Sequence, residues 1–291
     1  MKQKIAVMLI MIMMATIMFS SFAYAEADNK VGIKIEFDKK SYVKGETAVA
    51  TLTLTGLSDE KDAGLKLGAF ETHLKFDTNQ LSYLSENSGF DDGLFKTAAS
   101  QDLTKEFQVT TDYNDIIVIV FAYKPGLSLD GVDTNGNLKI GTVKFTINDN
   151  VSDKIKIGFD ESEKTYVTEL VQPDISSKFD ITVPQEDSTA DIKNVIAENA
   201  SATFANNTVT GSINIRLSKG QGAILLAQLY DNATGLTKGT VVMPNLTASA
   251  NINDITFNNI LDKTNLTVKY YLWESFANMK ALTTIQPIEV Q

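Results

Sequence analysis

The sequence predicts an all-β protein built from two β-sandwiches. Three observations favour this fold class. β-branched and aromatic residues recur in short alternating runs, Gly, Asn and Asp interrupt these runs about every 8 to 15 residues, and no long helix is evident after residue 25. Between Val31 and Val183 the runs form nine candidate strands. Two sheets of such strands can each bury one face against the other, so we expect a sandwich here.

The first 25 residues have the pattern of a secretory signal peptide. A basic start with Lys2 and Lys4 precedes an unbroken apolar run that ends in Ala23-Tyr24-Ala25, the small-x-small pattern of a cleavage site. No later segment approaches the roughly 18 apolar residues that a membrane helix needs. We therefore expect a secreted, extracellular protein, either released or held at the cell surface; an uncleaved N-terminal anchor is the alternative.

A change in composition after Val183 marks a boundary. The stretch "PQEDSTADIKNVIAENA" combines a proline, an acidic cluster and small polar residues, which is typical of a linker. Strand patterns resume afterwards in "NTVTGSINIRL", "AILLAQLYD" and "LTVKYYLWES". We predict a first domain over residues 26–184, a linker over 185–199 and a smaller, immunoglobulin-like sandwich over 200–291.

The strand "GAFETHLKF" carries the only histidine of the chain, His73. Strand alternation sends Phe70 and Leu74 to the core and gathers Glu71, His73 and Lys75 on the opposite face. A histidine beside a carboxylate can transfer protons near neutral pH. With no second histidine and no cysteine to complete an active site, this row is better interpreted as a polar interaction surface.

The run "DIIVIVFAY" differs from its neighbours because it is apolar on both sides from Ile116 to Ala122. Such a run is typical of a central strand. Its outer side is either covered by protein or presented to a partner.

Composition excludes several function classes. The chain has a formal net charge of −10, one arginine and no cysteine, so it lacks the positive stripe that nucleic acid requires and cannot form disulfides. Motifs for a nucleophilic serine, a zinc-protease helix or a phosphate loop are missing. The candidate acids lie in polar loops without the aromatic or apolar neighbours that would raise the pKa of a carboxyl group. They are Asp91, Asp92, Asp160, Glu161 and Glu163. We expect no catalytic residue and no enzyme.

The segment "LDGVDTNGNLKI" offers Asp130, Asp133 and Asn135 as oxygen ligands for a structural calcium ion. Its spacing does not match a calcium-binding EF-hand loop, since Gly141 stands at position twelve counted from Asp130. Asn135-Gly136 is favoured as a hairpin turn of type I′. We expect no cofactor, and structural calcium is the alternative.

Taken in order, three motifs of the first region resemble a cohesin domain, the module of cellulosome scaffolds that binds the dockerin of a polysaccharide-degrading enzyme. The motifs are "GAFETHLKFDTNQLSYLS", "DIIVIVFAYKPG" and "DTNGNLKIGTVKFTIND". The resemblance implies a nine-stranded jelly-roll sandwich, related to carbohydrate-binding modules, with a flat sheet face as the partner surface. Ala69 and Glu71 stand where cohesins carry a small polar residue and an aspartate.

At the other end, "KYYLWESFANMKAL" resembles the ending of small β-sandwich appendages on secreted and surface proteins of clostridia. Ala281 stands where proline is usual in that pattern. Tyr271 and Trp273 alternate with Tyr270 and Leu272, so this strand offers aromatic rings to both faces. We interpret it mainly as core.

These features predict a secreted, non-catalytic protein-interaction module that docks a dockerin-bearing enzyme or another extracellular partner. The predicted contact residues are Glu71, His73, Lys75, Tyr123, Lys124, Leu127 and Leu129. Two alternatives stay open: a polysaccharide-binding protein on the same fold, and a structural component of the cell surface. For sugar binding, the aromatic residues Tyr83, Phe90, Tyr113 and Tyr123 are dispersed over different segments rather than aligned in a row.

Overall fold

A computed structural model describes residues 30–58, 66–110, 113–162, 165–172, 175–178, 180–277 and 279–291. In these ranges the regular structure is β-strand apart from three short 3₁₀ turns, which confirms the all-β prediction. The predicted signal peptide, residues 1–25, lies outside the described residues. Among the residues that are described, no helix is long and apolar enough to cross a membrane.

The first sandwich is formed by the strands that precede Asn194. In chain order they are β1 Lys30–Phe37, β2 Ser41–Val43, β3 Thr47–Thr55, β4 Lys66–Phe76, β5 Leu81–Tyr83, β6 Gly89–Phe90, β7 Leu103–Val109, β8 Ile116–Ser128, β9 Leu138–Ile147, β10 Lys154–Phe159, β11 Tyr166–Gln172, β12 Ile175–Lys178, β13 Asp180–Thr182 and β14 Ser188–Lys193. Short strands such as β2 and β6 add to the nine that the sequence predicts, because two or three paired residues leave little periodic signal.

Two sheets make up this sandwich. One has the order β13-β1-β3-β9-β5, with β6 also paired to β9. The other has the order β12-β11-β4-β10-β14-β2 and extends through β8, which pairs with β4, to β7. The pairs β1–β13 and β14–β2 are parallel, and the other pairs described are antiparallel. Strand β4 is therefore central, with β8 on one edge and β10 and β11 on the other.

The core of the first sandwich lies between the two sheets. Strand β3 shows the expected alternation, since Leu52 and Leu54 are fully buried while the threonines between them are partly exposed. From the facing sheet, Phe70 and Phe121 stack with ring centroids 5.6 Å apart. Burying each such side chain contributes about 1.5–3 kcal/mol, so alternation on β3, β4 and β8 closes the sandwich.

A second, smaller sandwich follows with its own core. Its strands are β15 Val195–Ala205, β16 Thr208–Leu217, β17 Ala223–Asp231, β18 Leu236–Leu246, β19 Ala250–Asn258, β20 Leu266–Trp273, β21 Ala281–Thr283 and β22 Ile288–Glu289. Strands β15-β16-β19 form one sheet and β18-β17-β20-β21, with β22 on β20, form the other. Asn206 and Asn207 connect β15 to β16 with φ values of 49° and 58°, the backbone of a two-residue type I′ turn.

The segment 185–199, predicted as a linker, is not a free connection. Strand β14 pairs with β10 and β2 and so completes a sheet of the first sandwich. Asn194 alone separates β14 from β15. The polar composition reflects the outward residues of β14, while Ala190 and Ile192 are buried. The segment forms a strand despite its low hydrophobicity, because its backbone N–H and C=O groups are hydrogen-bonded to β10 and β2.

Arg216, the single arginine of the chain, joins the two sandwiches. From β16 its Nη1 donates to both carboxylate oxygens of Glu46, each at 2.8 Å, and its Nη2 donates to Glu198 at 3.3 Å and to the Ser41 carbonyl at 3.3 Å. Its side chain is 11% exposed. Burial disfavours the charged form of Glu46, but hydrogen bonds from Arg216 and from the Val43 N–H outweigh it and hold the pKa of Glu46 below its usual value.

Replacing Arg216 with lysine tests this junction. Arg216→Lys keeps the charge but loses the second nitrogen, which donates to Glu198 and to the Ser41 carbonyl. We expect it to lower the free energy of unfolding by about 2 kcal/mol at pH 7. Because the folded-state pKa of Glu46 is depressed, the stabilisation is present above the usual carboxyl pKa and is lost as pH falls through the folded-state value. The difference between variant and parent should therefore shrink below about pH 4.

Urea unfolding measures this change, with Lys219→Gln as the matched control. Lys219 is next to the same junction, but its ion pair with Asp149 is 76% and 64% exposed, so its loss should cost less than about 0.5 kcal/mol. Equal effects of the two variants would contradict a special role for Arg216.

Candidate functional site

The outward side of β4 provides the candidate site. Phe70, Thr72, Leu74 and Phe76 alternate inward and are buried. Glu71, His73 and Lys75 point the other way, as strand alternation predicts, and are partly or fully exposed. The row that the sequence identifies is therefore continuous on one face.

Strands β8 and β7 widen this row into a surface. In register, Glu71 lies opposite Val120, and Val120 lies opposite Glu106 on β7. One step along, His73 lies opposite Val118, which faces Gln108. We call this surface the β4–β8–β7 face; its outward residues are Ala69, Glu71, His73, Lys75, Thr104, Glu106, Gln108, Ile116, Val118, Val120 and Ala122.

The β4–β8–β7 face has an aliphatic centre between two polar borders. Its middle strand contributes Ile116, Val118, Val120 and Ala122, as expected for a strand that is apolar on both sides. Val118 and Ala122 are partly exposed, whereas Ile116 and Val120 are only 8% and 4% exposed. A flat sheet face of this kind can cover an apolar partner surface at its centre and form polar contacts at its rim.

The charges of this face are only partly compensated. His73 Nε2 lies 3.1 Å from Glu71 Oε1, with the two side chains 15% and 23% exposed. Across Val120, burial raises the pKa of Glu106 because it disfavours the charged carboxylate. A cation from a partner would relieve that cost, so Glu106 is well placed to receive one.

Three of the seven predicted contact residues require correction. Leu127 and Leu129 are each 2% exposed and belong to the core, and Tyr123 is 7% exposed with its hydroxyl accepting from the Ala99 N–H at 3.0 Å. Strand β8 continues past Gly126 and pairs with β4 again after a bulge opposite Gly68. Tyr123 and Leu127 lie on the same side of β8 as the buried Phe121, so they point into the core. Lys124 is exposed at the bulge.

Sequence reasoning missed Glu106 and Gln108. The sequence did contain a pattern that indicates their exposure. In "KEFQV", Glu106 and Gln108 alternate with Phe107 and Val109, so one side of the strand is polar and faces solvent. The sequence does not show that β7 pairs with β8. This pairing places Glu106 and Gln108 on the same face as Glu71 and His73, with β8 between them.

Asp133 organises the segment that offers oxygen ligands for calcium. Asp133 accepts hydrogen bonds from the Asn135 N–H at 2.8 Å, the Asn137 N–H at 2.9 Å and the Asn137 side-chain amide at 3.2 Å. Gly136 has a φ of +75°, but Asn135 does not share a positive φ. The predicted type I′ hairpin is therefore wrong: this turn connects β8 and β9, which lie in different sheets, and Asp133 closes it. No group of three His, Asp or Glu residues in the described part of the chain is arranged to hold a metal.

The other candidate acids and rings lie in structural roles. Lys139 bonds Asp91 at 2.9 Å and holds its pKa below the usual value, whereas a proton-donating acid needs the opposite shift. Asp160 accepts from the Ser162 hydroxyl at 2.9 Å, and Glu163 lies outside the described residues. The ring of Phe90 packs edge-on against Phe107 at 5.2 Å.

Replacing Glu106 with glutamine tests the electrostatics of the face. The pKa of Glu106 is higher in the folded protein than in the unfolded chain. Its contribution to stability is therefore fully present below the usual carboxyl pKa and is lost as pH rises through the folded-state pKa. Glu106→Gln removes that loss, so we expect it to stabilise the protein at pH 7 by less than about 1 kcal/mol, since solvent screens a partly exposed carboxylate. Urea unfolding at pH 7 and below about pH 4 measures it; a stabilisation that persists in acid would contradict this explanation.

Comparison with known proteins identifies structural neighbours only. No family model matches the chain, and no curated protein matches it. Among solved structures, a type II cohesin domain from the cellulosome of Acetivibrio cellulolyticus shares 15% identity at a TM-score of 0.37, covering 55% of this chain and 95% of that one. The type II cohesin dyad from the ScaA scaffoldin of the same organism covers 90% of this chain and 98% of its own at 10% identity and a TM-score of 0.37.

Type II cohesin A11 from Bacteroides cellulosolvens gives a TM-score of 0.38 at 11% identity, covering 56% of this chain and 99% of that one. These neighbours come from the family that the sequence resembles. The fold described above rests on the strand pairing of this chain itself.

Proposed function

We propose that this protein is an extracellular, non-catalytic interaction module that docks a protein partner on the β4–β8–β7 face. The observation that carries the proposal is the aliphatic centre of that face, accessible at Val118 and Ala122 and bordered by Glu71, His73 and Glu106. An apolar centre with a polar rim is the composition of a protein–protein interface. The surface lies on paired strands, so it can bind with little backbone movement.

The charges of the face specify the chemistry of the partner. Glu71 and Glu106 flank Val120 from opposite sides, and the chain as a whole has a formal net charge of −10. A partner with lysine or arginine beside an apolar contact would pair with these carboxylates and gain association rate by electrostatic attraction. Of the predicted contacts, Glu71, His73, Lys75 and Lys124 remain proposed contact residues.

A dockerin-bearing enzyme is the partner class that we propose. This assignment follows from the resemblance of residues 31–183 to cohesins in the order of their motifs. One of the structural neighbours is itself a type II cohesin in complex with an X-dockerin. The role would be to hold an extracellular enzyme, with chemistry supplied by that enzyme.

Binding of a purified type II dockerin-bearing protein tests the proposal directly. The whole chain is immobilised and the dockerin protein is added with calcium or with a chelator, because dockerin folding depends on the metal. We expect calcium-dependent binding, weakened at least about tenfold by Glu71→Lys, which repels a cationic partner, and by Val118→Asp, which places a charge where the apolar contact forms.

The matched control is Glu36→Lys. Glu36 lies on β1 in the opposite sheet, is 64% exposed and undergoes the same charge change, so its variant should bind like the parent. Circular dichroism confirms that each variant is folded. Failure of the parent to bind would overturn the dockerin assignment, and binding that survives Glu71→Lys and Val118→Asp would overturn the proposed face.

A further inference from the structure

The second sandwich carries an aromatic surface that the docking proposal does not use. On β20, Tyr270 and Leu272 point inward and are buried, whereas Tyr271 and Trp273 point outward and are partly exposed. After the strand ends, Phe276 is 54% exposed. We call Tyr271, Trp273 and Phe276 the aromatic platform. Exposed clusters of large apolar side chains commonly mark binding sites.

Two of the three rings are moderately tilted to each other, and the third is nearly perpendicular to its neighbour. Tyr271 and Trp273 have centroids 6.1 Å apart and planes inclined by 38°, so both offer a face in a similar direction. The ring centroids of Phe276 and Trp273 are 6.4 Å apart and their planes are inclined by 74°. Phe276 is therefore nearly perpendicular to Trp273 at one end of the platform. A shallow cavity of about 160 Å³ opens beside Tyr271 and Trp273, and the residues that line it include Thr283 and Thr284.

The turn after β20 holds Phe276 in place. The Glu274 N–H donates to the Lys280 carbonyl at 2.9 Å, and the Met279 N–H donates to the Ser275 carbonyl at 3.0 Å. Met279 takes a φ of +47°, which reverses the chain into β21. Phe276 is thus exposed by a hydrogen-bonded turn, and a ligand would lose little binding energy in ordering it.

The size of the platform favours a small ligand over a protein. Three aromatic side chains offer on the order of 500 Å² even when fully exposed, and Tyr271 and Trp273 are only partly exposed. A stable protein interface needs about 800 Å² from each partner. The platform is therefore too small for a second copy of the chain, but large enough for one or two ring-shaped units.

The charge at the platform favours a neutral ligand. Lys280 and Glu274 lie 3.8 Å apart and compensate each other, and Lys269 lies over the ring of Tyr230 at 3.4 Å. Hydroxyls are available at the rim, since Thr283 and Thr284 make no side-chain hydrogen bond within the described part of the chain. A pyranose sugar has C–H groups on its faces and hydroxyls around its rim. Its faces can pack on the aromatic rings of the protein, and its hydroxyls can form hydrogen bonds with the threonine hydroxyls beside them.

We propose that the aromatic platform binds a neutral polysaccharide, with one sugar ring stacked on Tyr271 and Trp273 and the next against Phe276. The site is independent of the β4–β8–β7 face, because its residues belong to the second sandwich. Either proposal can fail without the other.

Tryptophan fluorescence gives a direct test, because Trp273 is the only tryptophan in the chain. Xyloglucan, xylan and hydroxyethylcellulose are titrated into the whole protein, with polygalacturonate as the anionic comparison. We expect at least one neutral polymer to change the emission of Trp273 and to retard the protein in affinity electrophoresis, with polygalacturonate causing neither effect.

Phe276→Ala should weaken the neutral-polymer binding about tenfold by removing one stacking ring. The matched control is Tyr113→Ala, since Tyr113 is 62% exposed in the first sandwich and its loss should change nothing. No response to any neutral polymer would overturn the proposal, as would retardation that survives Phe276→Ala. Self-association in sedimentation that Phe276→Ala abolishes would assign the platform to a second copy instead.

Discussion

Pairing between β4 and β8 links the interior of the first sandwich to its outer surface. Its register sets Phe70 opposite Phe121 and Glu71 opposite Val120. Because side chains alternate along a strand, a shift by one residue would exchange the buried and outward sets. The stacked rings inside therefore fix the positions of the carboxylates outside. The same pairing stabilises the core and aligns the aliphatic centre of the β4–β8–β7 face with its polar borders.

Alternation within a strand could be predicted from sequence, whereas relations between strands could not. The outward placement of Glu71, His73 and Lys75 follows from period two alone. Leu127 is buried because β8 continues to Ser128, although Pro125 and Gly126 are residues that usually end a strand in the sequence. Glu106 was missed for the related reason that its position depends on which strand β7 joins. Polar composition likewise concealed β14, whose hydrogen bonds with β10 and β2 come from residues distant in the chain.

Several acidic side chains in the described loops hold the surrounding chain in place. Asp133 receives three hydrogen bonds from its own turn, Asp91 is bonded to Lys139, and Asp160 caps the residues that follow β10. Groups committed in this way have little freedom to transfer protons or bind a reacting substrate.

The one-residue connection at Asn194 has a mechanical consequence. Flexible linkers let two binding modules search a volume, and the gain in avidity then depends on linker length. Here β14 is part of a sheet of the first sandwich and Arg216 of the second sandwich contacts Glu46 of the first, so the connection is not a flexible linker. A load applied to one sandwich would therefore pass to the other through these hydrogen bonds and through Asn194, without first extending a linker.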